Sequence, residues 1–220
     1  MIDIPSMKKI LLLLLLISAS PLFTTAQSNY DHQVIAVLPF RTKFAEYKNI
    51  SDSNMQAFRA LEIKYGIQLQ EELYKAITSD TNRLLVEVQP WQTTDSILKK
   101  AGVDLLKLPY LDISVIAKVL KVDACIVTTI THRGRPGLGV GNLLPLPIGL
   151  AVAEGSSHAI NALTKNNKIF NFGLVDGKSG NQIWTYSQEM TAEDLTLDKD
   201  KLVFSPLIFK RFKKRFPYCD

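Results

Sequence analysis

The chain has 220 residues, a formal net charge of +5 and two cysteines. That length suits one domain with a substantial core, or one domain carrying a long insertion, and leaves no room for two independent catalytic domains. The mild basic excess does not call for a nucleic-acid partner, and the distribution of the charge says more than its sum.

Met7-Lys8-Lys9, an apolar run from Ile10 to Ile17 and the small residues of Thr24-Thr25-Ala26 read as a secretory signal peptide over residues 1–26, cleaved to leave Gln27 as the amino terminus. As a retained anchor the run falls short of the ~20 apolar residues a spanning helix needs. Residues 27–220 are then expected to form a single periplasmic α/β domain. No cysteine comes just after the apolar run, so the lipid-attachment site of a bacterial lipoprotein is missing.

Val34-Ile35-Ala36-Val37-Leu38-Pro39-Phe40 is a β-branched, apolar run closed by proline, the pattern of a central strand buried on both faces. From Met55 to Ile77, the residues Phe58, Leu61, Tyr65, Leu69, Leu73 and Ile77 recur every three or four positions and predict a long amphipathic helix capped by Ser53 or Asn54. Leu84 to Val88 reads as a short strand, Thr94 to Gly102 as a helix ended by glycine, Ile113 to Leu120 as a helix, and Val122 to Ile130 as a strand. Lys168 to Val175 and Gln182 to Glu189 flank the turn formers Asp176 to Asn181 and predict an antiparallel hairpin. An amphipathic helix from about Leu202 to Phe216 closes the chain. The expected architecture is a mixed sheet packed with helices, mainly on one side.

Between the strands, residues 134–157 differ in kind. Gly137, Gly139 and Gly141 precede Leu143, Leu144, Pro145, Leu146, Pro147 and Ile148, a density of glycine and proline that no regular helix accommodates. Either this insert packs irregularly on its own domain, or Leu143, Leu144, Leu146 and Ile148 present apolar surface to a membrane or a partner.

Candidate catalytic motifs fail on inspection. Gly177-Lys178-Ser179 has Phe172 where a phosphate-binding loop needs glycine, and a strand where that loop needs a helix. Gly137, Gly139 and Gly141 do not space as a dinucleotide fingerprint. His32, His132 and His158 have no neighbouring ligand at metal spacing, no serine sits in a Gly-x-Ser-x-Gly elbow, and Glu71-Glu72 and Glu193-Asp194 read as solvated charges. No cofactor or metal is expected. Cys125, in a buried strand, and Cys219, next to last, form a candidate disulfide or remain separate thiols.

The best site candidate is the carboxyl-terminal segment. Phe204, Ile208, Phe212 and Phe216 make one helical stripe, and Lys210, Arg211, Lys213, Lys214 and Arg215 cover much of the rest. The stripe docks on the sheet with its basic face solvated, or the segment, with Phe209 beside it, contacts a partner or an anionic membrane surface. Four large apolar side chains must be covered by something.

Three stretches resemble an exported bacterial superfamily. They are Ile35 to Phe40, the run Ala117 to Asp123 leading into Ala124-Cys125-Ile126-Val127-Thr128, and the hairpin Leu174 to Thr185 with its Asp176-x-x-x-Gly180 turn and Trp184. The superfamily is the CsgG-like one, which includes the curli-secretion channel lipoprotein, the lipoprotein activators of penicillin-binding proteins and the amino-terminal domain of TolB. Membership would imply a small α/β domain that scaffolds envelope assemblies through protein contacts without catalysis. The missing lipidation cysteine, and the absence of paired long alternating strands fit for a membrane barrel, argue against a secretion channel.

The expectation is therefore a periplasmic, non-catalytic adaptor or regulator of an envelope machine, whose candidate partners are envelope proteins, an anionic membrane surface and, in a homo-oligomer, a second copy of the chain. Its alternatives are a peripheral membrane-binding protein and an envelope hydrolase whose site shows no motif.

Overall fold

A computed structural model describes residues 31–42, 52–132, 168–191, 194–198 and 201–219. The predicted signal peptide and the 134–157 insert lie outside the described residues. His32 to Asp220 cluster as one compact unit.

The strands are β1 (Val34–Val37), β2 (Arg41–Thr42), β3 (Glu87–Val88), β4 (Ala124–His132), β5 (Lys168–Asp176), β6 (Gln182–Met190), β7 (Leu195–Asp198) and β8 (Lys201–Phe204). The helices are α1 (Asp52–Thr78), α2 (Trp91–Lys100), α3 (Ile113–Leu120) and α4 (Pro206–Lys213). The main sheet runs β3-β1-β4-β5-β6, and β2 continues the line of β1 along β4. β1 is parallel to β3 and β4, whereas β4, β5 and β6 are antiparallel. The fold is thus the expected mixed α/β sheet with a late hairpin.

The core explains the order. Ile35 and Val37 point to one face and Ala36 and Leu38 to the other, all essentially solvent-free, as the apolar run predicts. On the first face, Tyr65, Leu69, Leu73 and Ile77 of α1 meet Ile126, Phe170, Phe172 and Leu174. On the second, Leu98 of α2 and Ile116, Ala117 and Leu120 of α3 meet Ala36 and Cys125. Helices therefore cover both faces, where the expectation was cover mainly on one side. A central strand with apolar side chains on both faces needs cover on both.

Local signals place the helix ends. The Gly102 amide donates to the Lys99 carbonyl and the Val103 amide to that of Leu98, with Gly102 at φ +68°, a Schellman close for α2. Asp112 caps α3 by accepting from the Ser114 amide at 2.8 Å. Buried Gln70 on α1 donates to the Val37 carbonyl at 2.8 Å, so a polar residue on the buried side of the helix serves the end of β1.

One prediction differs most. The region from Leu202 to Phe204 is not helix: β7 and β8 form a separate antiparallel pair, and α4 begins only at Pro206. Ser205 caps that helix and Pro206 holds its first position, and a residue before proline avoids the helical region, so the chain cannot run on as helix from Leu202.

The β5–β6 turn is pinned beneath α3. The Gly177 amide donates to the Asp123 carbonyl at 2.7 Å, and a Cβ added at Gly177 would lie 2.6 Å from Ala117 Cβ and 2.8 Å from that same oxygen. Backbone and helix leave no room for it. Gly177→Ala is expected to lower stability by about 1–3 kcal/mol in a denaturant titration, as overpacking does. An unchanged midpoint would show that the turn moves freely away from α3.

Candidate functional site

The carboxyl-terminal segment divides by side. Phe204, Ile208, Phe212 and Phe216 are all buried, and Phe212 lies 4.8 Å from Phe172 and 5.8 Å from Trp184 between ring centroids. Phe209 is half-buried, its ring 5.1 Å from that of Phe204. The sheet and its neighbours cover the apolar stripe. Phe212 and Phe216 are core residues here and not a contact surface, because β5 and β6 offer an aromatic floor that water does not. Lys210, Arg211, Lys214 and Arg215 are exposed, and Lys213 is half-buried with its Nζ donating to Ser79 Oγ at 2.6 Å.

Some of these cations border a groove. Ile77 and Asp80 at the end of α1, Arg83 just beyond, Lys210, Lys213 and Lys214 from α4 and its following turn, and Cys219 line a cavity of about 430 Å³. Arg83 Nε stands 3.6 Å from Asp80 Oδ2. Arg211 and Arg215 do not line it. Sequence reasoning named the lysines but not Arg83 or Asp80, which the fold brings in from more than a hundred positions away.

Cys125 and Cys219 form no disulfide with each other. Cys125 packs on the α2–α3 face of the sheet and Cys219 against the opposite core, so the sheet itself separates them. Burial pushes the Cys125 thiol up to about 12, which keeps it protonated and unreactive. Leu143, Leu144, Leu146, Ile148 and His158 lie outside the described residues. His132 ends β4. Among the described residues no group of three His, Cys, Asp or Glu side chains could hold a metal, and no helix is long and apolar enough to cross a membrane.

A second cluster was not anticipated. His32 Nε2 lies 2.9 Å from Asp176 Oδ1, and its Nδ1 pairs with the Tyr218 hydroxyl. Asp176 Oδ2 accepts from the Ser179 amide at 2.6 Å and from the Ser179 hydroxyl. Those bonds from Ser179, reinforced by His32 and opposed by partial burial, hold the Asp176 carboxyl down at about 2. Alongside, Asp123 Oδ2 accepts the Gln33 and Val34 amides at 2.8 Å each.

The cluster ties the approach to β1, the β5–β6 turn and the carboxyl-terminal tail at one end of the sheet. Ser179 in it is exposed, with its hydroxyl donating to the Asp176 carboxylate, and the bonds of the cluster tie separate chain segments together. His32→Ala is expected to lower stability by about 1–3 kcal/mol at neutral pH, the cost of leaving hydrogen-bonded partners short. Since the folded-state pKa of Asp176 lies below its ordinary 3.8, its contribution is full above that value and is lost as pH falls toward about 2. Acid titration of wild type and Asp176→Asn checks this, and equal acid midpoints would contradict it.

No family model matches the chain, and no curated protein does. Two solved structures are similar to it in part. The lipoprotein GNA1162 from Neisseria meningitidis is 13% identical with a TM-score of 0.38, over 72% of this chain and 79% of that one. The LpoB C-terminal domain from Salmonella enterica is 8% identical with a TM-score of 0.34, over 72% and 82% respectively.

Proposed function

We propose that the protein is an exported, non-catalytic interaction protein of the bacterial cell envelope, acting as an adaptor or regulator of an envelope machine. The observation that carries the reading is how the three family-like stretches meet. Ile35 to Val37 lies in β1, Ala124 to Thr128 opens the adjacent β4, and Leu174 to Thr185 spans the end of β5, the turn and the first half of β6. The turn residue Asp176, central to the resemblance, is the one that anchors His32 and Ser179. Stretches scattered over some 150 positions of sequence thus make one contiguous sheet. The predicted export signal supports an envelope location, and the exposed cations of the tail supply a surface for a partner.

Crosslinking in envelope extracts tests it. Wild type should retain defined envelope proteins, and charge reversal at exposed Arg211 and Arg215 should weaken that retention while the fold persists. Recovery of the protein without partners, or turnover of a cell-wall or lipid substrate by the pure protein, would overturn the reading.

A further inference from the structure

We infer that the groove between the end of α1 and α4 is a binding site for a phosphate-bearing ligand, held by Arg83, Lys210, Lys213 and Lys214. The inference does not rest on the adaptor reading.

Basic side chains at helix C-termini have an ordinary explanation, because they neutralise the helix dipoles, and both α1 and α4 end here. Charge decides between that explanation and a site. Each helix end carries about −0.5, so two of them together with the Asp80 carboxylate amount to about −2 against four cations. Roughly two positive charges are left over in a concave place. Arg211 and Arg215 on the same segment add two more cations beside it.

Like charges so gathered repel one another unless an anion joins them, and a groove focuses their field more than a flat face would. Lys210 and Lys214 are exposed and have no ion-pair partner among the described residues. Lys213 is already steered inward by Ser79.

The donor set selects the anion. Three ammonium groups are compact charges that suit a tetrahedral oxyanion from several directions, and a guanidinium adds a planar fork. A phosphomonoester carries about −1.5 to −2 at neutral pH, close to the surplus. The cavity of about 430 Å³ is within the range of small-molecule sites and larger than a bare phosphate requires, and Ile77 and Cys219 give it an apolar wall. The shared chemistry is therefore a phosphate carried on a larger body, either a lipid headgroup or a soluble phosphate compound.

Two probes and two charge-matched variants test this. Calorimetry with inorganic phosphate and with glycerol phosphate reports the soluble source. Flotation with phosphatidylcholine vesicles containing phosphatidic acid, a lipid phosphomonoester, against phosphatidylcholine vesicles alone, reports the lipid one. The variants are Lys210→Gln with Lys214→Gln, which strip the groove, and Arg211→Gln with Arg215→Gln, which remove the same charge beside it. All four side chains are exposed, and thermal melts confirm that the variants fold.

Binding to either probe that falls about tenfold or more in the groove variant and less than about threefold in the flanking variant supports the site, and the probe that responds names the source. Equal losses in both variants would mean diffuse surface electrostatics and overturn the inference. So would the absence of binding to every probe at low salt.

Discussion

Phe212→Ala is expected to destabilise the domain by about 3–5 kcal/mol, the usual cost of emptying a buried aromatic site. The side chain is fully buried and its ring meets those of Phe172, Trp184, Tyr186 and Phe216, the last at 5.1 Å. Removing it opens a cavity between α4 and the β5–β6 floor, where surrounding rings cannot collapse without leaving their own contacts. Lys214→Ala, two positions away and exposed, should change stability by no more than about 0.5 kcal/mol. Chemical denaturation of both variants measures the contrast. Comparable small effects would place α4 outside the core and return its aromatic stripe to the surface. The same packing predicts that truncation before Lys201 unfolds the domain, because it removes β8 together with Phe204, Ile208, Phe212 and Phe216 from one cluster.

This tail shows what sequence pattern reveals and what it hides. The four-residue spacing of Phe204, Ile208, Phe212 and Phe216 correctly marks a buried stripe, yet the same spacing suggested helix back to Leu202, where the chain is strand β8. Ser205-Pro206 held the corrective signal, since a capping residue followed by proline starts a helix. A four-residue strand offers too little alternation to compete with a stripe of aromatics.

The long or locally signed elements were legible. α3 matches its predicted bounds, and β5 and β6 extend one residue beyond theirs, because helix capping by Asp112 and the turn formers from Asp176 to Asn181 are local instructions. Cover on both faces was also written in the run Ile35 to Leu38, where Ala36 and Leu38 alternate with Ile35 and Val37 and none is polar.

Juxtaposition was not legible. His32 meets Asp176 and Tyr218 across 144 and 186 positions, and Arg83 reaches the groove of Lys210 across more than a hundred. Nothing in one sequence encodes such distances except the folded sheet. The candidate site was therefore half visible: its cations stood out as a charge run, while the concavity that distinguishes a site from a solvated face came from α1 and the segment after it.

Lys168 carries the other large expectation. It opens β5, paired with His132 on β4 and Met190 on β6, and its side chain lies on the core-facing side with Phe170 and Phe172. Only 2% of the residue is exposed, and its Nζ has no hydrogen-bond partner among the described residues. Desolvation pushes the amine from its ordinary 10.5 down to about 7. Between those values the unfolded chain holds the proton and the native one releases it, so native stability rises with pH across that window, while below about 7 both states are protonated and the penalty stays constant. Lys168→Met keeps the length of the side chain and removes the charge. It is expected to stabilise the protein by about 2–4 kcal/mol at neutral pH, since an unpaired buried charge costs several kcal/mol. The advantage should shrink as pH approaches 10, a change that other titrating groups, common to both proteins, cannot produce. Paired unfolding curves at pH 7 and pH 10 decide it. A variant no more stable than wild type, or one whose advantage is the same at both pH values, would show that water or another group satisfies the amine in solution.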